Sequence, residues 1–334
     1  MSQPRSHPQT RVVSLLPSAT EMLCHIGGSS LLVGRSHECD YPESVATLPT
    51  LSTAMAHFTG GSGASAAVDR QVRELMNRQL PLYELDLELL NHLRPDVILT
   101  QDLCRVCSVN VESVRRIAAA MSPIPQVISC NAETIEGVLD DMLAIGDAVG
   151  LAENAQEAVT ALRERFYTLT DFTNPFAEGP NVAFLDWTDP LFIGGHWIPQ
   201  LIERAGGRHV LNATIPMNKA GAAAGPIGTT LRKAGKSVTV PPEVLLASRP
   251  EYLVIAPCGL TLDRALEAVR ELSAKSWWRE LPAVQTDRVA VVDGNAMFAR
   301  PGPRLADAFA FLVGWFNGRP ELIPPGFPWA LLRS

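Results

Sequence analysis

Short, almost wholly apolar runs alternate with amphipathic stretches along this chain. Val12-Val13-Ser14-Leu15-Leu16 reads as a strand buried on both faces, and Pro17-Ser18-Ala19-Thr20 opens a helix that Gly27-Gly28 ends. Leu31-Leu32-Val33-Gly34 is a second short strand. Residues 57–66 are Gly- and Ser-rich, a loop by composition. Val68, Val72, Leu75 and Met76 then mark one face of a helix. Tyr83-Glu84-Leu85 predicts a strand, and Asp86 an N-cap for a helix over Leu87 to Leu93. Pro95 resets the chain into the strand 96–100, a helix covers 109–121, and Gln126-Val127-Ile128-Ser129 is the next strand. This alternation predicts a parallel sheet wrapped by helices.

Two helices follow, over 134–149 and from Glu153 to about Thr170. About 18 residues at 1.5 Å each span roughly 27 Å, enough to connect two lobes. A second α/β series starts with the strand Val182 to Leu185. It continues with helices over 198–205 and 242–247, strand 252–256, helix 263–272, strand 289–292 and helix 304–316. The predicted fold is α/β, with two Rossmann-like lobes joined by one long helix and a ligand cleft between them. The divisions are a disordered tail 1–10, an N-terminal lobe 11–132, a helical connector 133–171 that includes the interlobe helix 153–170, and a C-terminal lobe 180–334.

Composition narrows the function. The 334 residues are 46% hydrophobic and 19% charged, with a net charge of −7, which disfavours nucleic acid and anionic membrane as partners. No apolar run is long enough to span a membrane. The stretch from Val12 is broken by Ser14, Pro17 and Glu21, so it is no signal peptide. As written the chain is cytoplasmic, and it is periplasmic if the true start lies upstream. Six cysteines in a chain this long make no disulfide framework.

Candidate chemistry gathers where strands should end, since open α/β sheets bind ligands outside the carboxyl ends of their strands. The first lobe offers His37, Glu38, Cys39 and Asp40 in one turn, and Gln101, Asp102, Cys104 and Cys107 in another. His37, Cys39, Cys104 and Cys107 form a set of ligands suited to zinc or to thiol contact with a ligand's own metal. Ser18 lies at a helix N-terminus with N–H groups open to an anion, or simply caps its helix. In the second lobe Asp186, Trp187, Asp189 and Phe192 lead to His196 and Trp197. Trp187 is placed just past its strand, and His196 either contacts the ligand, coordinates a metal centre or caps the helix after it. Cys258, Phe298 and Arg300 follow the later strands. Aromatic groups beside carboxylates suit a large, flat, partly polar ligand.

Several segments carry a resemblance. They are residues 13–21 (VSLLPSATE), 93–99 (LRPDVIL), 194–199 (GGHWIP) with Ala205-Gly206-Gly207, and 249–255 (RPEYLVI). In order and spacing, from about Arg11 to about Asn317, the chain resembles the helix-hinged substrate-binding proteins of ABC importers, specifically the vitamin B12 (cobalamin) binding members and their relatives. The resemblance implies a non-enzymatic monomer that binds cobalamin or another corrinoid as ligand, needs no cofactor, and feeds an ABC permease. It also implies that Glu88 and Glu243, one per lobe, dock on permease arginines; the residues alone read equally as helix first-turn carboxylates. An intracellular metal or corrinoid carrier or sensor using the His and Cys groups is the alternative reading. A cysteine-dependent enzyme, pairing Cys39 or Cys104 with His37, is a further one.

Overall fold

The computed structural model describes residues 9–56, 63–102, 111–174, 176–217 and 232–333. By internal contacts the chain divides into two units. The first comprises residues up to 55, 78–131 and 139–159; the second comprises 56–77, 132–138 and 160 onward.

In the first unit, β1 (Val12–Ser14) leads to α1 (Pro17–His25), β2 (Leu32–Arg35) and β3 (Ser52–Ala54). The helix α2 (Ala64–Asn77) falls next in sequence but belongs by contacts to the second unit. Back in the first unit come β4 (Tyr83–Leu85), α3 (Leu87–Leu93), β5 (Val97–Thr100), α4 (Val111–Ala119) and β6 (Gln126–Ser129). The sheet has the order β2-β1-β5-β6 with every pairing parallel, while β3 and β4 form a separate antiparallel pair. Val12, Val13, Ile98 and Leu99 are fully or nearly fully buried, which explains the absence of hydrophobic alternation in β1 and β5. Asp86 caps α3 as its sequence position predicts, accepting a hydrogen bond from the Leu89 amide at 2.8 Å.

The long helices α5 (Ile135–Val149) and α6 (Ala152–Thr170) follow, separated by Gly150 at φ 77°. The start of α5 is fixed within the second unit. Gln200 accepts from the Ile135 amide at 2.8 Å and donates to Glu136 at 2.8 Å, and Arg204 pairs with Glu136. Burial pushes the Glu136 carboxyl up, but the Arg204 charge and the hydrogen bonds from Arg204 and Gln200 outweigh it and hold the pKa below the usual carboxylate value.

The second unit continues through β7 (Val182–Thr188), β8 (Leu191–Ile193), α7 (Trp197–Arg204), β9 (Ile215–Pro216), β10 (Arg232–Lys233), β11 (Val238–Thr239) and α8 (Pro242–Ala247). It ends with β12 (Tyr252–Ile255), α9 (Leu262–Ser273), α10 (Pro282–Gln285), β13 (Val289–Val292), α11 (Leu305–Phe316) and β14 (Trp329–Leu332). Its sheet has the order β11-β8-β7-β12-β13-β14, parallel at the centre (β7, β12, β13) and antiparallel at both margins. Leu185, Leu253, Ile255 and Val291 pack with Ala265, Val269 and Leu272 of α9 in one core. The helix α2 joins this unit through a buried hydrogen bond from the Thr188 hydroxyl to Ser65 (3.0 Å) and one from the Gly63 amide to Glu271 (2.7 Å). No described helix is long and apolar enough to cross a membrane.

His209 is 1% exposed in the second unit, and neither ring nitrogen has a partner. Burial lowers its pKa from 6.5 to about 4. The native state therefore holds it neutral while the unfolded chain protonates it near pH 6.5. The associated stability is complete above that pH and is lost as pH falls from 6.5 through 4. At 1.36 kcal/mol per unit the loss approaches about 3 kcal/mol. Urea unfolding between pH 7 and pH 4 should show His209→Gln to be less acid-sensitive than the parent; equal sensitivity would mean that His209 does not carry this effect.

Candidate functional site

Parallel strands deliver their following loops to one edge, so the carboxyl edge of each sheet can be described unit by unit. In the first unit the ladder closes with the Leu15 amide on the Leu99 carbonyl (2.9 Å), Ser36 on Ser14 (2.8 Å) and Cys130 on Thr100 (2.8 Å). Beyond it lies the His37 turn. His37 Nδ1 lies 2.9 Å from the Ser52 hydroxyl, its ring centroid is 5.6 Å from that of Tyr83, and its Nε2 is 4.0 Å from Glu38. Asp40 is exposed. Cys39 is fully buried, and its sulfur accepts from the Thr20 hydroxyl at 3.0 Å. Gln101 is buried, whereas Asp102 is exposed and its amide bonds to Asn131 at 2.7 Å.

Ser18 does not cap α1. Leu16 occupies the cap position without a side-chain hydrogen bond, and Ser18 sits inside the first turn, 1% exposed, its hydroxyl unpaired. The Thr100 hydroxyl at the end of β5 is likewise buried and unpaired. Sequence reasoning passed over Thr100; its place as the last residue of a buried strand was the available signal. Cys104 and Cys107 lie outside the described residues. Among the described residues, no group of three or more His, Cys, Asp or Glu side chains converges as a metal site.

The second unit differs from expectation in one telling way. Strand β7 does not stop at Leu185 but runs to Thr188 and returns as β8. Leu185 pairs with Ile193 and Trp187 with Phe192, so two steps on β7 match one on β8 and Asp186 is a bulge. Asp186 and Trp187 are thus strand residues rather than loop residues. Asp186 accepts from the Ser237 hydroxyl, and its carbonyl accepts from the Cys258 amide at 2.9 Å. Trp187 is half-buried, with Nε1 on the Asp189 carbonyl at 3.1 Å, and Asp189 and Cys258 are exposed. Phe192 is half-buried in β8. Trp197 and Phe298 are committed to packing: Trp197 donates to the Phe298 carbonyl at 2.8 Å, and Phe298 meets Phe184 edge-on at 4.9 Å. Arg300 is 6% exposed and donates to Asn295 at 2.9 Å.

His196, in the turn that follows the antiparallel strand β8, is the most constrained residue of this group. It holds φ 55° and ψ −118°, a conformation that side chains other than glycine rarely adopt. The backbone around it leaves little choice. Its amide bonds to the Gly235 carbonyl at 2.8 Å, and Asn212 donates to both the Gly194 and Lys236 carbonyls at 3.1 and 3.0 Å. A Cβ on Gly195 would lie 2.3 Å from the Ser237 nitrogen, so the turn is pressed against residues 235–237. His196 occupies the N-cap position of α7, yet its side chain makes no cap hydrogen bond. The ring stacks on Trp197 at 5.6 Å, and its buried Nδ1 has no partner. Burial lowers the imidazole pKa, Glu133 opposes that and Lys236 reinforces it, so the ring is held neutral.

The second unit thus presents a neutral imidazole with an unpaired nitrogen, a half-buried indole and one hydrogen-bonded carboxylate. The model of the periplasmic binding protein family matches residues 12–296. The chain belongs to that family. Its members bind substrates rather than catalyse reactions. Among solved structures, the periplasmic vitamin B12 binding protein BtuF of Vibrio cholerae is similar at 18% identity, covering 94% of this chain and 99% of that one, with a TM-score of 0.64. A periplasmic heme binding protein from Pseudomonas aeruginosa is similar at 21% identity, covering 92% and 93%, with a TM-score of 0.65. The periplasmic heme-binding protein RhuT from Roseiflexus sp. RS-1, in apo form, is similar at 19% identity, covering 93% and 99%, with a TM-score of 0.65. No curated protein sequence matches the chain significantly. At these identities the structural likeness establishes the fold, while the family match establishes a binding protein.

The strained backbone of His196 makes a prediction that ordinary packing would not. His196→Gly should raise stability by about 1 kcal/mol, because glycine relieves the backbone and only the stacking on Trp197 is lost. Thermal unfolding reads this; a drop of about 1 kcal/mol or more would show the conformation to be unstrained.

Proposed function

We propose that this protein binds a corrinoid, or a comparable metal-chelate macrocycle, and delivers it to an ABC importer. The observation that carries the reading is His196: strained, neutral, and with an unpaired ring nitrogen. A neutral imidazole nitrogen is a donor to cobalt or iron, and a flat macrocycle offers a face to Trp187. The vitamin B12 and heme ligands named for the similar structures support this ligand class.

Calorimetry with cobinamide, cobalamin and hemin tests the reading. At least one should bind with a dissociation constant below about 100 μM, and His196→Ala should weaken that binding by about tenfold or more. No binding of any of the three at about 100 μM would overturn it.

Importer delivery rests on two exposed carboxylates, one in each unit. Glu88 lies in the first turn of α3 and Glu243 in the first turn of α8. Reconstituted with its permease, the double variant Glu88→Ala/Glu243→Ala should keep its ligand affinity but lose most of its stimulation of ATP hydrolysis. Unchanged stimulation would remove these residues from docking.

A further inference from the structure

The second unit carries a concavity at the amino edge of its parallel strands. Because β7, β12 and β13 are parallel, the residues just before them share the amino edge. Pro180 lies two residues before β7, while Glu251 and Arg288 immediately precede β12 and β13. With Arg208, Tyr252 and Phe316 they line a cavity of about 410 Å³. That volume is too large for an inorganic ion alone and falls within the range of small-molecule sites, roughly 300–1,000 Å³.

Its chemistry is specific. Arg288 is exposed and lies 5.0 Å above the Tyr252 ring, with no ion pair among the described residues. Tyr252 is gripped edge-on by Trp315 at 4.9 Å and Phe316 at 5.1 Å, so the aromatic wall is rigid. Arg208 pairs with Glu178 through one terminal nitrogen, but its buried Nε has no partner. The wall itself is fixed by close backbone packing, since a Cβ on Gly179 would lie 1.8 Å from the Gly206 carbonyl oxygen.

We propose that this amino-edge cavity binds a small aromatic carboxylate. Arg208 holds the carboxylate, because the guanidinium fork matches its two oxygens. The face of Arg288 turned away from Tyr252, together with Phe316, receives the aromatic ring. Glu178 is the competitor: its side chain is 78% exposed and occupies Arg208 when the site is empty. The site stands apart from the corrinoid reading and uses none of its residues.

The test is ¹⁹F NMR of the full chain labelled with fluorotryptophan, the Trp315 signal being assigned by Trp315→Phe. Benzoate is the probe and inorganic phosphate the comparison. Benzoate should move the Trp315 signal saturably, with a dissociation constant below about 5 mM, and phosphate should bind at least about tenfold more weakly. Arg288→Gln and Arg208→Gln should each weaken benzoate by about tenfold or more, while Glu178→Gln should tighten it about threefold. Circular dichroism checks that each variant is folded, and the exposed Arg288 and Glu178 can be changed without loss of core. A linear shift up to about 50 mM benzoate, an equal response to phosphate, or weaker binding in Glu178→Gln would each overturn the proposal.

Discussion

Parallel strand pairing is the constraint on which the rest depends. A parallel ladder cannot be closed by a tight turn, so each strand needs a helix to carry the chain back. Every loop that follows a strand then emerges at the same edge. Both sheets obey this at their centres, β1 with β5 in the first and β7 with β12 and β13 in the second. The pairing costs hydrophobic alternation, because the strands must be buried on both faces, and it yields two chemically distinct edges. Polar side chains left over from the ladders collect there because they have nowhere else to go.

The two edges of the second sheet use this in different ways. At the carboxyl edge an antiparallel return, β7 into β8, interrupts the parallel rule and places a bulge at Asp186. The chain then turns sharply through Gly194 and Gly195, and the clamp from Asn212 and Gly235 forces His196 to positive φ. Strain of this kind persists only when surrounding bonds over-determine it. At the amino edge no residue is strained in that manner. There Arg208 and Arg288 line a cavity with Tyr252, Phe316 and the carboxylates of Glu178 and Glu251, beside the close packing of Gly179 on Gly206.

Much of the fold was legible because its signals are local. The doubly buried strands Val12–Ser14 and Val97–Thr100, the Asp86 cap and the break at Gly150 each follow from a few neighbouring residues. The continuation of β7 through Asp186 and Trp187 was not legible, since a polar residue and a proline two positions beyond suggested a loop. Nor was the attachment of α2 to the second unit, which depends on Ser65 meeting Thr188, 123 residues away. Among the candidate residues, His37, Asp186, Trp187 and His196 were picked out from their places after apolar runs. Burial decided the others: Phe298 and Trp197 have the composition of ligand contacts but are held in the core. The positive φ of His196 and the amino-edge pair of arginines depend on contacts distant in sequence, which no local pattern encodes.

The central claim is that the His196 ring is kept neutral and unpaired for a metal-chelate ligand. Long-range ¹⁵N NMR of the histidine side chains tests it most directly, with His196 assigned by His196→Ala and spectra taken before and after saturation with cobinamide. The account predicts a neutral ring in the free protein near pH 7 and a large shift of one ring nitrogen on binding. A protonated ring in the free protein, or an unmoved His196 signal in a saturated complex, would contradict it.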